Sequence, residues 1–178
     1  MEIKGKNITL RQWKEADAKE LTKIANNKNI SDCLRDAMPY PYTIADAKNW
    51  LLFAINENEK YKHLFAITIK DNLVGSIGFF AKDDIYKLNA EIGYFISEEF
   101  WGKGIASEAI NLVCNHVFNQ YPIIRIYAEI FEKNTASGKV LVKNGFVLEA
   151  TLKNNIIKNG IIQNACIYSL LKENSNIK

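Results

Sequence analysis

Two glycines set two residues apart, in Trp101-Gly102-Lys103-Gly104-Ile105-Ala106, separate an alternating apolar run that ends at Ile96 from a helix-period pattern that begins at Ile105. No long loop intervenes. Glycine lets the backbone turn tightly and come close to a ligand, and the start of a helix presents free N–H groups at the positive end of its dipole. Together these make a nest for an anion such as phosphate. The third glycine of a dinucleotide fingerprint is missing, and so is the glycine-to-lysine spacing of a Walker loop, so neither of those folds is indicated. A tight strand-to-helix turn without a ligand is the other reading of the same residues.

Other residue types that could do chemistry are fewer. Pro39 and Pro41 flank Tyr40, which makes Met38–Tyr42 a stiff, extended, aromatic segment. Tyr40 and Tyr42 could wall a binding site or pack on the rim of the core. His63 and His116 are single histidines in a strand and a helix pattern with no partner in sequence, so core or surface roles are expected of both. Cys33, Cys114 and Cys166 are odd in number, far apart and without metal-ligand spacing, and each sits in an apolar pattern. Buried reduced thiols and no metal site are expected.

The elements that must position these groups come from a chain of 178 residues with a net charge of +3. That length suits one domain, 1–178, with a frayed polar tail over 172–178. Lysine and glutamate are interspersed, which gives nucleic-acid binding no electrostatic support. No apolar run approaches the roughly 20 residues that cross a bilayer, and the first six residues carry no signal segment, so a cytoplasmic protein is expected.

Ile8–Leu10 reads as a first strand. Asp17 with Glu20 forms a capping box for a helix carrying Leu21, Ile24 and Ala25, and Thr43 with Asp46 opens a second helix running to about Asn58. Residues 26–42 are irregular. Leu64–Ile69, Leu73–Phe80 and Leu88–Ile96 form a meander, with Asp71-Asn72 as its first turn. The helix after the glycines, closed by Pro122, has the length of a parallel crossover, so Ile123–Ile130 is placed beside the strand ending at Ile96. Ile124, Ile126 and Ala128 are expected on one side of it. Asn134 caps a short helix from Thr135 to about Lys143, Asn144-Gly145 ends it, and Phe146–Ile157 and Ile161–Leu171 close the chain as a hairpin about Asn159-Gly160.

Taken together, Ala90-Glu91-Ile92-Gly93-Tyr94-Phe95-Ile96, Trp101 to Ala109, Asn134-Thr135-Ala136-Ser137 and Lys143-Asn144-Gly145-Phe146 resemble the GCN5-related N-acetyltransferase (GNAT) family. The likeness extends over almost the whole chain, including Leu10-Arg11, and is strongest to the bacterial branch of ribosomal-protein alanine and serine N-terminal acetyltransferases. It implies an α/β (α+β) fold: a mixed, mostly antiparallel sheet of about seven strands, splayed in the middle, with about four helices on its two faces. It also implies acetyl-CoA in the splay, against the backbone of Tyr94, Phe95 and Ile96. The pyrophosphate would lie on Trp101, Gly102, Lys103, Gly104, Ile105, Ala106 and Ser107, and Asn134 and Ser137 would lie along the pantetheine arm. Trp101 departs from the family pattern, which has Gln or Arg there, so Lys103 is expected to carry more of the charge contact.

The chemistry implied is direct attack of an amine on a thioester. Glu91 is the expected base, Ser137 the expected donor to the leaving sulfur, and Tyr94 a second candidate donor. Arg35, Tyr40, Tyr42 and Glu91 are expected in the acceptor pocket. The acceptor that the nearest branch implies is the N-terminal amine of a protein, ribosomal in kind, with a small amine such as a polyamine, amino acid or aminoglycoside as the alternative. A non-catalytic acyl-CoA sensor is the alternative from another class. The chain is expected as a monomer or homodimer, the last hairpin offering a pairing edge.

Overall fold

A computed structural model describes residues 1–56 and 62–175. In chain order the elements are β1 (Glu2–Lys4), β2 (Thr9–Arg11), α1 (Ala18–Ala25), α2 (Lys28–Ser31), α3 (Ile44–Ile55), β3 (Lys62–Ile69), β4 (Asn72–Ala81), β5 (Asn89–Ile96), α4 (Ile105–Gln120), β6 (Arg125–Phe131), α5 (Thr135–Lys143), β7 (Val147–Lys158) and β8 (Ile161–Leu171). The eight strands form one sheet in the order β1-β2-β3-β4-β5-β6-β8-β7. Every neighbouring pair is antiparallel except β5 and β6, which run parallel as the crossover helix requires. Two features of the sheet escaped the sequence reading. The strand β1 is too short to show a period, and β8 inserts between β6 and β7, so that the last two strands sit in the sheet in reversed order.

Local chemistry explains most of the boundaries. Thr43 Oγ1 accepts from the Asp46 N–H and the Asp46 carboxylate accepts from the Thr43 N–H, a reciprocal cap for α3. The extension of α3 expected toward Asn58 lies outside the described residues. Asn27 opens the unforeseen α2 by accepting from the N–H groups of Asn29 and Ile30. The first hairpin turns one residue earlier than expected, on Lys70 and Asp71 with φ of 48° and 67°. Asp17 is also a correction: it makes no side-chain cap for α1. Its carboxylate takes two 2.8 Å bonds from the Arg11 guanidinium instead, fixing β2 to the start of α1.

The sheet separates two apolar layers. On one side α4 buries Ile105, Ala109, Ile110, Val113, Cys114, Val117 and Phe118 against β3–β6, joined by Leu141 of α5. Each large side chain fully removed from water contributes roughly 1.5–3 kcal/mol, so this helix is held to the sheet by burial along its whole length. On the other side Trp13, Leu21, Ile24, Tyr42, Ala47 and Leu51 close a second cluster from α1 to α3. Trp13 meets Trp50 edge to face at 4.7 Å. Phe53 of α3 is exposed, as is Ile124, which lies one residue before β6 while Ile126 and Ala128 point inward. Cys114 and Cys166 are buried free thiols, whereas Cys33 is half-buried.

His63, Phe65, Phe79, His116 and Tyr121 stack in one aromatic cluster between β3, β4 and α4. Burial and then the neighbouring His63 hold His116 below the usual histidine value of 6.5. The unfolded chain therefore takes up a proton below pH 6.5 that the folded chain resists, and stability falls as pH drops from there. Melting temperature should decline between pH 7 and pH 5, and His116→Phe should flatten that slope. A slope unchanged in the variant would exclude His116 as its source.

Candidate active site

The cleft follows from where one ladder stops. Strands β5 and β6 pair only over Asn89–Glu91 with Arg125–Tyr127. Beyond that point they diverge, while β5 stays in unbroken register with β4 from Ala90 to Ile96. The alternation of backbone groups shows which residues face the gap. The carbonyl of Asn89 accepts from Lys82 of the β4 side and the N–H of Ser97 donates to Val74, whereas the carbonyl of Leu88 accepts from Ile124. Even-numbered residues therefore turn toward β6, and Ile92, Tyr94 and Ile96 carry the bare edge. Phe95, expected to lend its backbone, is corrected: its N–H and C=O face β4, and its side chain packs on the α1–α3 cluster.

At the end of β5 a single turn over Glu98–Phe100 leads into the glycines. Gly102 and Gly104 have φ of 73° and 79°, a conformation that a side chain opposes, and a Cβ on either would meet nothing within 4 Å. Gly104 is the N-cap of α4, so the helix N-terminus opens onto clear space beneath these residues. That arrangement suits a pyrophosphate. Trp101 has a different job from the polar side chain it replaces: its indole N–H donates to the Ile96 carbonyl at 2.8 Å and closes the last acceptor of the strand edge. Lys103 is exposed, with its ammonium 5.1 Å from the Phe100 ring centre. Ile105 points into the core, so only its backbone can reach a ligand, and Ser107 Oγ accepts from Asn144 at the far end of α5.

Across the gap α5 supplies the opposing wall. Asn134 Oδ1 accepts from the Ser137 N–H at 3.1 Å, so the cap expected from sequence is present. Asn134 also borders a groove of about 500 Å³ floored by Ile130, Cys166 and Tyr168. Ser137 Oγ and Tyr94 Oη lie 2.5 Å apart and join β5 to α5. Burial pushes the Tyr94 phenol up to about 12, partly offset by its bond to Ser137, so this hydroxyl stays protonated at working pH.

On the opposite face, Glu91 is held between two cations. Arg35 donates to Oε1 at 2.6 Å and Lys82 to Oε2 at 2.8 Å, and the Tyr127 hydroxyl donates to Oε2 at 3.3 Å. Burial by itself would raise the Glu91 carboxyl, but the Lys82 hydrogen bond and the charges of Arg35 and Lys82 outweigh it and hold the group below the usual carboxylate value. Glu129 stands 3.8 Å from Arg35. Gly93, next along this face of β5, is exposed, and a Cβ there would meet nothing. Tyr40 is exposed, but Tyr42 is 3% exposed and belongs to the α1–α3 core, which corrects its expected place in the acceptor pocket. Lys82 and Tyr127 were missed. Their only sequence signal was a cation after one strand and an aromatic on another.

A splayed parallel pair, a glycine cradle at the helix that joins its strands, and a hydroxyl pair across the gap define an acyl-CoA-dependent transferase site. A family model for the acetyltransferase (GNAT) domain matches residues 7–147. The uncharacterized N-acetyltransferase YoaA of Bacillus subtilis (strain 168) is 37% identical over 67% of this chain and 68% of its own length. The ribosomal-protein-serine acetyltransferase of Escherichia coli (strain K12) is 31% identical over 61% of this chain and 60% of its own. Among solved structures, RimL, a ribosomal L7/L12 α-N-protein acetyltransferase in complex with coenzyme A, superposes with a TM-score of 0.87 at 24% identity, over 96% of this chain and 98% of that one. The chain belongs to the GNAT acetyltransferase family. It is an acetyl-CoA-dependent N-acetyltransferase.

Proposed function

We propose that the acceptor is the free N-terminal amine of a protein: the E. coli relative is named a ribosomal-protein-serine acetyltransferase, and RimL an α-N-protein acetyltransferase. The carrying observation is the charge balance on the acceptor face. Glu91 is matched by Arg35 and Lys82, with Glu129 beside Arg35. One ammonium can take the place of Arg35 on Glu91, but each further ammonium group of a polyamine must also find an anion when desolvated, and the remaining carboxylate, Glu129, faces Arg35. A peptide N-terminus brings one charge and an extended backbone, and the clear space above Gly93 accommodates it.

When bound, acetyl-CoA supplies the thioester carbon and a thiolate leaving group. The residues of this chain then divide the work. The cradle at Gly102 and Gly104 anchors the pyrophosphate, and the bare edge at Ile92 and Tyr94 orients the pantetheine arm. The Tyr94 N–H faces the gap, where an oxyanion develops during attack. Glu91, held low by its cations, is a poor proton acceptor and a good anchor for an ammonium. An α-amine with a pKa near 8 is already partly neutral at pH 7, so its last proton can leave through water. Ser137, backed by Tyr94, donates to the departing sulfur.

Thiol release from acetyl-CoA should be measured with peptides beginning in serine or alanine and with spermidine. The peptides should be turned over with a kcat/KM at least about tenfold above that for spermidine, a difference of about 1.4 kcal/mol in transition-state binding. Preference for spermidine would overturn the reading.

A further inference from the structure

The segment 32–36, which follows α2, is tied down at three points. Arg35 reaches Glu91 of β5 at 2.6 Å, Asp36 accepts from Lys158 at 2.7 Å, and Asp32 accepts from the Asn159 amide at 2.9 Å. Two of those ties come from the tip of the β7–β8 hairpin, more than 120 positions away in sequence. Strand β6 pairs with β8 only from Ala165 onward, the Asn164 carbonyl accepts from the Glu132 N–H just past the end of β6, and Ile161, Ile162 and Gln163 have β7 as their strand partner. The hairpin tip and the segment therefore brace each other along the acceptor face, beside the splay.

The three ties are unequal. The Arg35 side chain is 68% exposed, and a bond from an exposed guanidinium exchanges readily with water or with another cation. Lys158 is the reverse case, with its side chain 6% exposed and its partner Asp36 82% exposed. A buried ammonium cannot leave its carboxylate without losing both its counter-ion and its solvent, so this tie persists while the one at Arg35 comes and goes. Backbone bonds stiffen the piece in between: Cys33 N–H donates to Ile30, Leu34 to Ser31 and Met38 to Arg35.

We propose that Lys158 is a positioning residue for the acceptor: it latches the segment Asp32–Asp36 to the hairpin tip as one wall of the acceptor site, where an incoming ammonium exchanges with Arg35 on Glu91. Lys158 touches neither reacting group. It rests on the acceptor-face reading given above, and goes further by assigning the placement of that wall to a residue of the last hairpin. The exchange is balanced in charge, since one cation replaces another on the Glu91 carboxylate and Arg35 turns out to solvent.

Amide hydrogen exchange of the whole chain tests the latch without any acceptor. In Lys158→Met, exchange at Cys33, Leu34 and Met38 should speed up at least about tenfold, with α4 and the affinity for coenzyme A unchanged. Asp36→Asn removes the same ion pair from its exposed side and should give the same local effect if Lys158→Met fails to fold. Unchanged exchange at these amides in the folded variants, or an equal rise over the whole chain, would overturn the proposal. With a serine-initiated peptide as the probe, the peptide KM should rise about fivefold or more in Lys158→Met, with the KM for acetyl-CoA and kcat retained, and Lys158→Arg should restore it. A peptide that is not acetylated at all removes the protein-terminus reading and leaves the latch to the exchange result.

Discussion

Replacing Gly104 with valine is expected to cost about 100-fold in affinity for coenzyme A while the chain stays folded. Two effects must be separated. The first is strain, because Gly104 has φ of 79° and ψ of 0°, and a β-branched residue is an outlier there at a cost of roughly 1–2 kcal/mol. The second is occlusion. The new side chain would meet no protein atom within 4 Å, so it clashes with nothing in the fold and projects into the clear space at the start of α4. Loss of one or two charge-assisted N–H contacts, at about 1.5–3 kcal/mol each, gives the stated factor, since 1.4 kcal/mol is tenfold. Gly160, with φ of 75° and equally open surroundings, sits at the hairpin tip and serves as a control. Gly160→Val carries the same strain and should leave coenzyme affinity untouched. Calorimetric titration with coenzyme A and thermal melts of both variants decide the matter, and an unchanged affinity in Gly104→Val would place the anion elsewhere.

Ser137→Ala is expected to lower kcat about 100-fold with little change in the KM for acetyl-CoA, as removal of a general acid does. The fold should not notice. Asn134 caps α5 through the Ser137 backbone N–H, which alanine retains. Tyr94→Phe should cost less, about tenfold, because Tyr94 acts through Ser137 at 2.5 Å. With its phenol pushed up to about 12, Tyr94 should add no alkaline limb to the pH–rate profile below pH 10. Full activity in Ser137→Ala would remove it as the donor to sulfur. Thiol release followed at saturating acceptor is the measurement.

Much of this site was legible from residue order, for a reason visible at particular residues. The Gly102 and Gly104 turn, the Asn134 cap, the Thr43 and Asp46 box and the Asn159-Gly160 hairpin each depend on dihedral preferences and hydrogen bonds spanning a few positions. Such signals survive without knowledge of the fold. The order from β3 to β6 was legible too, since short turns make a meander and a helix of the length of α4 leaves a parallel neighbour as the economical connection.

What residue order withheld was pairing across distance. Asp17 had the spacing of a helix cap, yet the Arg11 guanidinium beside it offered two charge-assisted bonds and took the carboxylate. Tyr42 stood in an aromatic, proline-flanked segment that suited a pocket wall, and the core between α1 and α3 buried it. Glu91 sat on the strand entering the splay, where a free carboxylate would serve as a base. Arg35, 56 positions earlier, and Lys82, just past the end of β4, turned it into a carboxylate paired with two cations.

By itself, then, the sequence determined the glycine turn, the helix behind it, the cap that opens α5 and the family these belong to, because local geometry and motif spacing carry that information. The tertiary structure alone decided which strand edge lies beyond the β6 pairing, what holds Glu91, what the Trp101 indole bonds to, and how the last hairpin reaches the segment 32–36. Those depend on which strands become neighbours, and the insertion of β8 between β6 and β7 is a property of the packed sheet rather than of any short stretch of chain.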